Sequence, residues 1–471
     1  MGHLRVSVII NTLDRAVELE RTLLSLQQLR YPTFEVVVVH GPCRDRTLEV
    51  LERFGPAIRI GVCPQANLAM SRNIGVAMAR GDIVAFLDDD AIPEPDWLDW
   101  LTNGFDEPKV GGAGGFIRDH DGVRFQHRVI VADRLGEAEK FAIMPSDLGA
   151  HRYFSPTGTN IAIRRDALLS IGGFDEEYAY FLDETDVNLR LAEAGWRLVS
   201  IPDAEVHHKF AESHLRSADR VPRSLYLIAR SKAYFCCVNA SALYSAREIE
   251  QELCRFQEEH RLKIERFRHR RKIDAATARR LAAEVEQGLA DGTRDAESPR
   301  QLLSPTAMAG VEPAPFAPYK KPARNPQLRV CLVSRHLRRD RATRNTAMEL
   351  IARGHEVTAI HLGQGREPHI EFREGIWLHG VVLQRVLTWP PTTSATLLLP
   401  QTRFAVAVAD EVVRIQPRRQ FQILAGQPSD IAAIKKLNRL DLPAVATTID
   451  HLEQHMVQVV AAYRGQSSIS M

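Results

Sequence analysis

The chain has 471 residues, 45% of them hydrophobic and 25% charged, which is an ordinary soluble composition and more chain than one core uses, so two or more domains are expected. Its 61 basic and 59 acidic residues leave a formal net charge of +2, which gives no ground for nucleic acid as a bulk electrostatic partner. The six cysteines contain no Cys-x-x-Cys pair, which excludes a zinc framework and fits free thiols in a reducing cytoplasm.

Along the chain, apolar runs at 6–10, 35–40, 58–62 and 83–87 read as strands. Helical patterns near 19–26, 46–54 and 70–79 alternate with them. That rhythm predicts a mostly parallel sheet with helices on both faces. From Tyr226 to Leu289 the strand signal disappears. Glutamates and arginines interleave with Ile249, Leu253, Phe256 and Leu262 as an amphipathic helical extension. Its basic run, Arg266 to Lys272, reads as a wet helix face, with contact to anionic lipid headgroups as the weaker option. No run reads as a signal peptide or a membrane-spanning helix; the best apolar stretch, 225–246, is broken by Arg230 and Lys232. Seven prolines between 298 and 326 read as a linker. A second α/β rhythm starts at Leu328, with strands at 329–334, 356–362 and 421–424 and helices at 347–352 and 404–414. The expected partition is therefore 1–225, 226–297, 298–326 and 327–471.

Candidate chemistry lies in the first part. The fourth strand delivers Asp88, Asp89 and Asp90 at its carboxyl end, where parallel sheets bind ligands. Crowded carboxylates need a positive partner. Mg²⁺ or Mn²⁺ would supply it through oxygen ligands and substrate phosphates; helix capping before Pro93 is the competing explanation. Asp183, Glu184 and Asp186 open a later helix behind Tyr178, Tyr180, Phe181 and Leu182. Capping accounts for acids there, but an apolar setting also suits a general base. His207 and His208 follow a short strand and matter only if one faces the same metal.

The segments 6–15, 69–75 and 81–90, then Gly158-Thr159-Asn160, Gly172-Gly173-Phe174-Asp175 and the acidic helix, resemble in order and spacing the family 2 glycosyltransferases of GT-A fold over roughly 5–210. The resemblance implies a nucleoside-diphosphate sugar as donor, UDP-linked by default with dTDP or GDP as alternatives. Thr12, Asp14 and Asp45 would hold base and ribose, Arg72 would lie near the diphosphate, and Asp88 and Asp89 would belong to the nucleotide-sugar site. Asp90 would ligate the metal with His207 or His208, His207 being preferred. The family's Glu-Asp-x-Asp reads Asp183-Glu184-Thr185-Asp186 here; Glu184 is taken as the base and Asp183 as the alternative. Gly158, Thr159 and Asn160 would form a loop at the donor–acceptor junction. The implied reaction inverts the anomeric carbon. Its acceptor would be a glycan or a lipid-linked glycan, as in surface polysaccharide synthesis. The implied location is the cytoplasm, peripheral to the inner membrane face if the acceptor is lipid-linked.

Residues 329–362 and 372–379 resemble the acceptor-side half of GT-B enzymes of the family 4 type. The loop after Ser334 lacks the expected glycine pair, and the sequence ends before a donor-binding half. A truncated Rossmann-like domain without transfer activity of its own is therefore expected. Two other classes compete for the chain. A nucleotidyltransferase needs a glycine-rich, lysine-containing phosphate loop after the first strand, where Asn11-Thr12-Leu13-Asp14-Arg15 stands. A dehydrogenase would need Gly-x-Gly-x-x-Gly there. A non-catalytic scaffold predicts a broken acid set, and every acidic position is filled.

Overall fold

β-Branched runs too short for helices open the chain, and they pair side by side. A computed structural model describes residues 3–303, 314–320, 328–383, 400–435, 440, 442 and 444–446. In it β1 (Val6–Thr12), β2 (Phe34–His40), β3 (Arg59–Val62) and β4 (Ile83–Asp88) alternate with α1 (Ala16–Leu26), α2 (Thr47–Phe54) and α3 (Leu68–Met78). β1 lies parallel between β2 and β4, and β3 continues beyond β2. All four therefore end on one edge, with Asn11 level with Asp88.

The next stretch was poorly marked in the sequence. It forms β5 (Ala91–Pro93), α4 (Trp97–Asn103), β6 (Val110–Arg118), β7 (Phe125–His127), β8 (Val129–Ala132), β9 (Ala138–Phe141), β10 (Tyr153–Phe154), β11 (Asn160–Arg164), α5 (Arg165–Ser170), α6 (Asp183–Glu193) and β12 (Arg197–His208). β6 is rich in glycine, whose small side chain hides the strand signal. The nine-stranded sheet runs β3-β2-β1-β4-β11-β6-β12-β5, with β7 on β6; β10-β8-β9 form a small second sheet. β11 is antiparallel to β4 and to β6, so it starts beside the end of β4. Ile9, Val37, Phe86, Ile161, Phe174 and Val187 share the core that joins this sheet to α3, α5 and α6.

The helical extension forms α7 (Tyr226–Ala240), α8 (Ala246–His269) and α9 (Ala275–Asp295). Ser245 and Glu248 close a capping box at the start of α8. Gly288 and Gly292 let α9 lie against α7; a Cβ at Gly292 would fall 2.1 Å from the Arg230 carbonyl oxygen. Among the described residues no helix is long and apolar enough to cross a membrane. Of the proline-rich stretch, 304–313 and 321–326 lie outside the described residues. Its described parts pack on the first unit: Leu303 against the core and Tyr319 stacked on Phe34 at 5.2 Å.

The chain divides into two compact units, the second built on residues from 328 onward. This second unit holds β13 (Arg329–Ser334), α10 (Arg341–Ala352), β14 (Glu356–Leu362), β15 (His369–Arg373), β16 (Ile376–Val381), α11 (Pro400–Arg419), β17 (Ile423–Gly426), α12 (Pro428–Lys435) and β18 (Ala444–Ala446). Its sheet runs β15-β16-β14-β13-β17-β18, parallel except for β15. The helix expected at 347–352 starts earlier, at Arg341, because the Asp340 side chain accepts from Thr343 N–H and caps it.

Candidate active site

A cavity of about 320 Å³ opens at the carboxyl edge of β1 and β4, near the lower end of small-ligand pockets. Antiparallel pairing of β12 with β5 sets His208 opposite Ala91, directly after Asp90. His208 Nε2 comes 3.2 Å from Asp90 Oδ1 and 3.7 Å from Asp88 Oδ2. Potential ligand atoms of Asp88, Asp90 and His208 all lie within 4.8 Å of one another. Asp90 Oδ1 is buried and accepts no well-aligned hydrogen bond. The other carboxylate oxygen accepts from Ala211 N–H at 2.7 Å. His208 Nδ1 lies 2.9 Å from Gln126 Oε1. An N–H donated to that amide oxygen leaves Nε2 as the ligating nitrogen. Burial opposes protonation of His208, but Asp90 outweighs it and raises the imidazole pKa. Burial likewise opposes ionisation of Asp90; His208 and Arg15 reverse this and lower its pKa. Two carboxylates and one imidazole converging on a small gap fit a divalent cation.

His207, the preferred histidine in the sequence reading, points elsewhere. Successive strand residues face opposite ways, so only one of the pair can meet Asp90. His207 is buried with Nε2 2.8 Å from Glu94 Oε1. Asp89 also turns inward. Its oxygens accept from Thr12 Oγ1 and Arg15 Nη1, each at 2.7 Å. Burial pushes the Asp89 carboxyl up to about 7 against the pull of Arg15. Asp89 and Thr12 thus hold each other on the cavity wall. Arg15 was not singled out from the sequence. It spans Asp89 and Asp90, the latter at 3.6 Å, and donates to the Glu212 and Ala211 carbonyls.

Asp14 and Asp45 do not line the cavity. Asp14, in a left-handed conformation, accepts from Arg44 and Asp45 N–H. Asp45 accepts from Ala16 N–H at 2.9 Å and from Thr47. The two carboxylates cross-link the loops after β1 and β2.

The acidic helix supplies the opposite wall. Arg72 of α3 is enclosed over the rings of Phe86 and Phe174. It bonds Asp183 and lies 3.5 Å from Glu184 Oε2 on the wall of the cavity. Burial drives the Asp183 carboxyl well up. Burial also opposes ionisation of Glu184, but the Arg72 charge, Asp183 and the Gly158 N–H lower its pKa. Both line the cavity; Asp183 is 1% exposed and Glu184 23%, so the ionised member is the more open to it. Phe181 and Leu182, just before this helix, both have positive φ, at 75° and 65°. For non-glycine residues each such conformation costs roughly 1–3 kcal/mol, and such outliers gather at functional sites.

Gly158, Thr159 and Asn160 separate in role. Gly158 donates to Glu184 Oε1 at 3.3 Å, and Thr159 Oγ1 donates to Asp88 Oδ2 at 2.5 Å. Asn160, expected in the loop, is the first residue of β11 and is fully buried. It accepts from Trp97 Nε1 and donates to the Phe116 and Ala204 carbonyls. Tyr180, Phe181 and residues 213–216 complete the cavity. Neither Gln126 nor this last loop carries a sequence signal, since both act through tertiary placement alone.

Residues 3–225 match the sequence model described as "Glycosyltransferase like family 2". O-antigen biosynthesis protein RfbC of Myxococcus xanthus is 30% identical over 48% of this chain and 19% of its own length. Glucosyl-dolichyl phosphate glucuronosyltransferase of Haloferax volcanii is 26% identical over 44% of this chain and 70% of its own. Staphylococcus aureus TarS 1-349, solved with UDP-GlcNAc, aligns at 18% identity and a TM-score of 0.42 over 61% of this chain and 80% of that one, a likeness too slight to build on. The chain spans only 19% and 27% of the first two curated relatives it matches. With an α/β sheet whose strand ends bring Asp88 and Asp90 to the same cavity as the acidic helix, residues 3–225 of this chain are similar in sequence to the glycosyltransferases of family 2.

Proposed function

We propose that the first unit transfers a sugar from a nucleoside-diphosphate sugar to an acceptor hydroxyl, with inversion at the anomeric carbon. One observation carries this reading: a cation-shaped triad and an ionised carboxylate line the same cavity. Asp88, Asp90 and His208 would hold Mg²⁺ or Mn²⁺. When bound, the cation neutralises charge on the donor's diphosphate. Glu184 accepts the proton of the acceptor hydroxyl. Asp183 and Arg72 fix it: Arg72 supplies one positive charge to two carboxyls, so one ionises and the other retains a proton. Thr159 orients Asp88, and Gln126 orients His208.

The donor is read as UDP-linked by default. Relatives named for O-antigen biosynthesis and for a dolichyl-phosphate substrate support a glycan or lipid-linked glycan as acceptor, at the inner membrane face. The second unit is proposed to have no transfer activity of its own.

A panel of UDP-, GDP- and dTDP-sugars, assayed for nucleoside-diphosphate release with and without Mn²⁺, tests the proposal. Metal-dependent turnover with at least one donor is expected. Asp90→Ala should abolish metal-dependent donor binding, whereas Glu184→Gln should keep binding and lose turnover. Full turnover in Glu184→Gln would move the base to Asp183. Absence of both turnover and binding across the panel would overturn the transfer reading.

A further inference from the structure

We propose that the outer turn of the α8–α9 hairpin docks this protein onto an anionic lipid bilayer. Arg266, Arg268, Arg270, Arg271 and Lys272 all stand exposed within seven consecutive residues that include no acid. The whole chain is balanced to +2, so this concentration is local. Arg268 and Lys272 each meet one surface acid, Glu265 at 2.8 Å and Asp219 at 2.5 Å. Exposed pairs of this kind contribute little and exchange readily. Arg270 and Arg271 have no ion pair among the described residues. Phe267 is half-buried beside the cations, while Ile273 packs on the core of the helical extension and anchors the turn. Clusters of four to eight cations on an amphipathic helix are the pattern that anionic headgroups select.

The cations occupy one end of a two-helix hairpin rather than a stripe along its length, which fits a plane better than a duplex. The turn also borders an open groove of about 920 Å³ whose far wall is the loop 212–223. Arg223 and Arg280 line it too, paired with Glu212 and Glu284, and Asp219 and Asp274 share the lining, so the free positive charge stays on the turn itself. The same loop turns residues 213–216 toward the active-site cavity. A bilayer held at the turn would therefore lie beside the loop that borders the cavity. That the cavity then serves an acceptor carried in the lipid rests on the function proposed above; the docking itself does not.

Flotation of the full chain with vesicles tests the proposal. One set is pure phosphatidylcholine and the other equal parts phosphatidylcholine and phosphatidylglycerol. Binding should be confined to the anionic set and fall with added salt. Each neutralised cation should weaken partition about fivefold, so R268Q/R270Q/R271Q/K272Q should weaken it by on the order of a hundredfold or more. The smaller R270E/R271E variant should weaken it as well. Metal-dependent turnover of donor in solution should stay unchanged in both variants, which shows that they are folded and separates this test from the function proposed above. Undiminished vesicle binding by the variants, equal binding to neutral vesicles, or tighter binding to duplex DNA than to anionic vesicles would each overturn it. Displacement by millimolar inorganic phosphate alone would assign the groove to a soluble phosphate and also overturn it.

Discussion

Arg72 is enclosed on every side, and what closes the last side is the absence of a side chain. A Cβ at Gly158 would lie 2.0 Å from Arg72 Nη2. The guanidinium cannot retreat, because Asp183 and the rings of Phe86 and Phe174 hold it. Gly158→Ala should therefore displace the cation that sets the charge state of Glu184. The expected cost is about 1–3 kcal/mol of stability and a tenfold or larger fall in kcat, with donor KM little changed. Thermal unfolding and steady-state kinetics read the two effects separately; wild-type kcat would remove Arg72 from the mechanism. The two histidines offer a second test at this scale. His208→Ala should weaken Mn²⁺ binding by at least about tenfold, as read by electron paramagnetic resonance. His207→Ala should lower Tm and leave Mn²⁺ affinity near wild type. The sequence places both histidines beside the site, but strand alternation alone does not say which one faces it. Pairing with β5 decides that. Arg15 and Gln126 were hidden for a similar reason: they act on Asp89, Asp90 and His208 across the fold, at no fixed sequence spacing.

At the scale of elements, the acid set of α6 divides. Glu184 reaches the cavity, whereas Asp186 is buried on the other side, bonded to Arg190, Asn239 of α7 and Arg300. Arg300 also bonds Asp175 at 2.6 Å. The segment after α9 and the helical extension therefore hold the helix that carries the candidate base. Arg300→Leu should cost on the order of 3 kcal/mol, since it leaves buried carboxylates short of a cation. It should also shift the acidic limb of the kcat profile, and Arg300→Lys should restore part of that shift. A change in stability with an unmoved profile would reduce Arg300 to a structural tie. Lys232 of α7 makes a comparable joint. It is 1% exposed and donates to Glu137 and Glu252 at 2.7 and 2.8 Å. Burial raises the Glu137 pKa, but Arg255 and Lys232 outweigh it and bring it down to about 2 from an ordinary 4.5. Its folded value is the lower one, so its contribution to stability is full above about pH 4.5. That contribution is lost as pH falls toward 2. Glu137→Gln should flatten the stability–pH curve in that window, as measured by urea unfolding at stepped pH. An unchanged slope would mean that other carboxylates dominate acid unfolding.

Across the whole molecule, the βα rhythm was legible because buried parallel strands are near-continuous apolar runs, and β1, β2, β4 and β13 are of that kind. β6 was illegible because glycine carries no hydrophobic signal. The proline-rich stretch was legible in composition but not in where it packs. Composition excludes helix and strand, yet it says nothing about contacts. Tyr319 is buried on Phe34, Ala317 N–H donates to Glu35 Oε2 at 3.0 Å, and Arg300 and Leu303 are built into the first unit. Two truncations therefore separate covering from linking. Ending the chain after Pro326 should leave metal-dependent donor turnover and Tm of the first unit close to those of the full protein. Ending it after Glu297 removes Arg300, Leu303 and Tyr319 together. That shorter chain should lose several degrees of Tm and most of its turnover, because Asp175 and Asp186 are left without Arg300 and the face of Phe34 is uncovered. If the shorter chain matched the longer one, the stretch would be no more than a tether. If the longer one lost turnover as well, the second unit would have a part in the reaction that its own residues do not display.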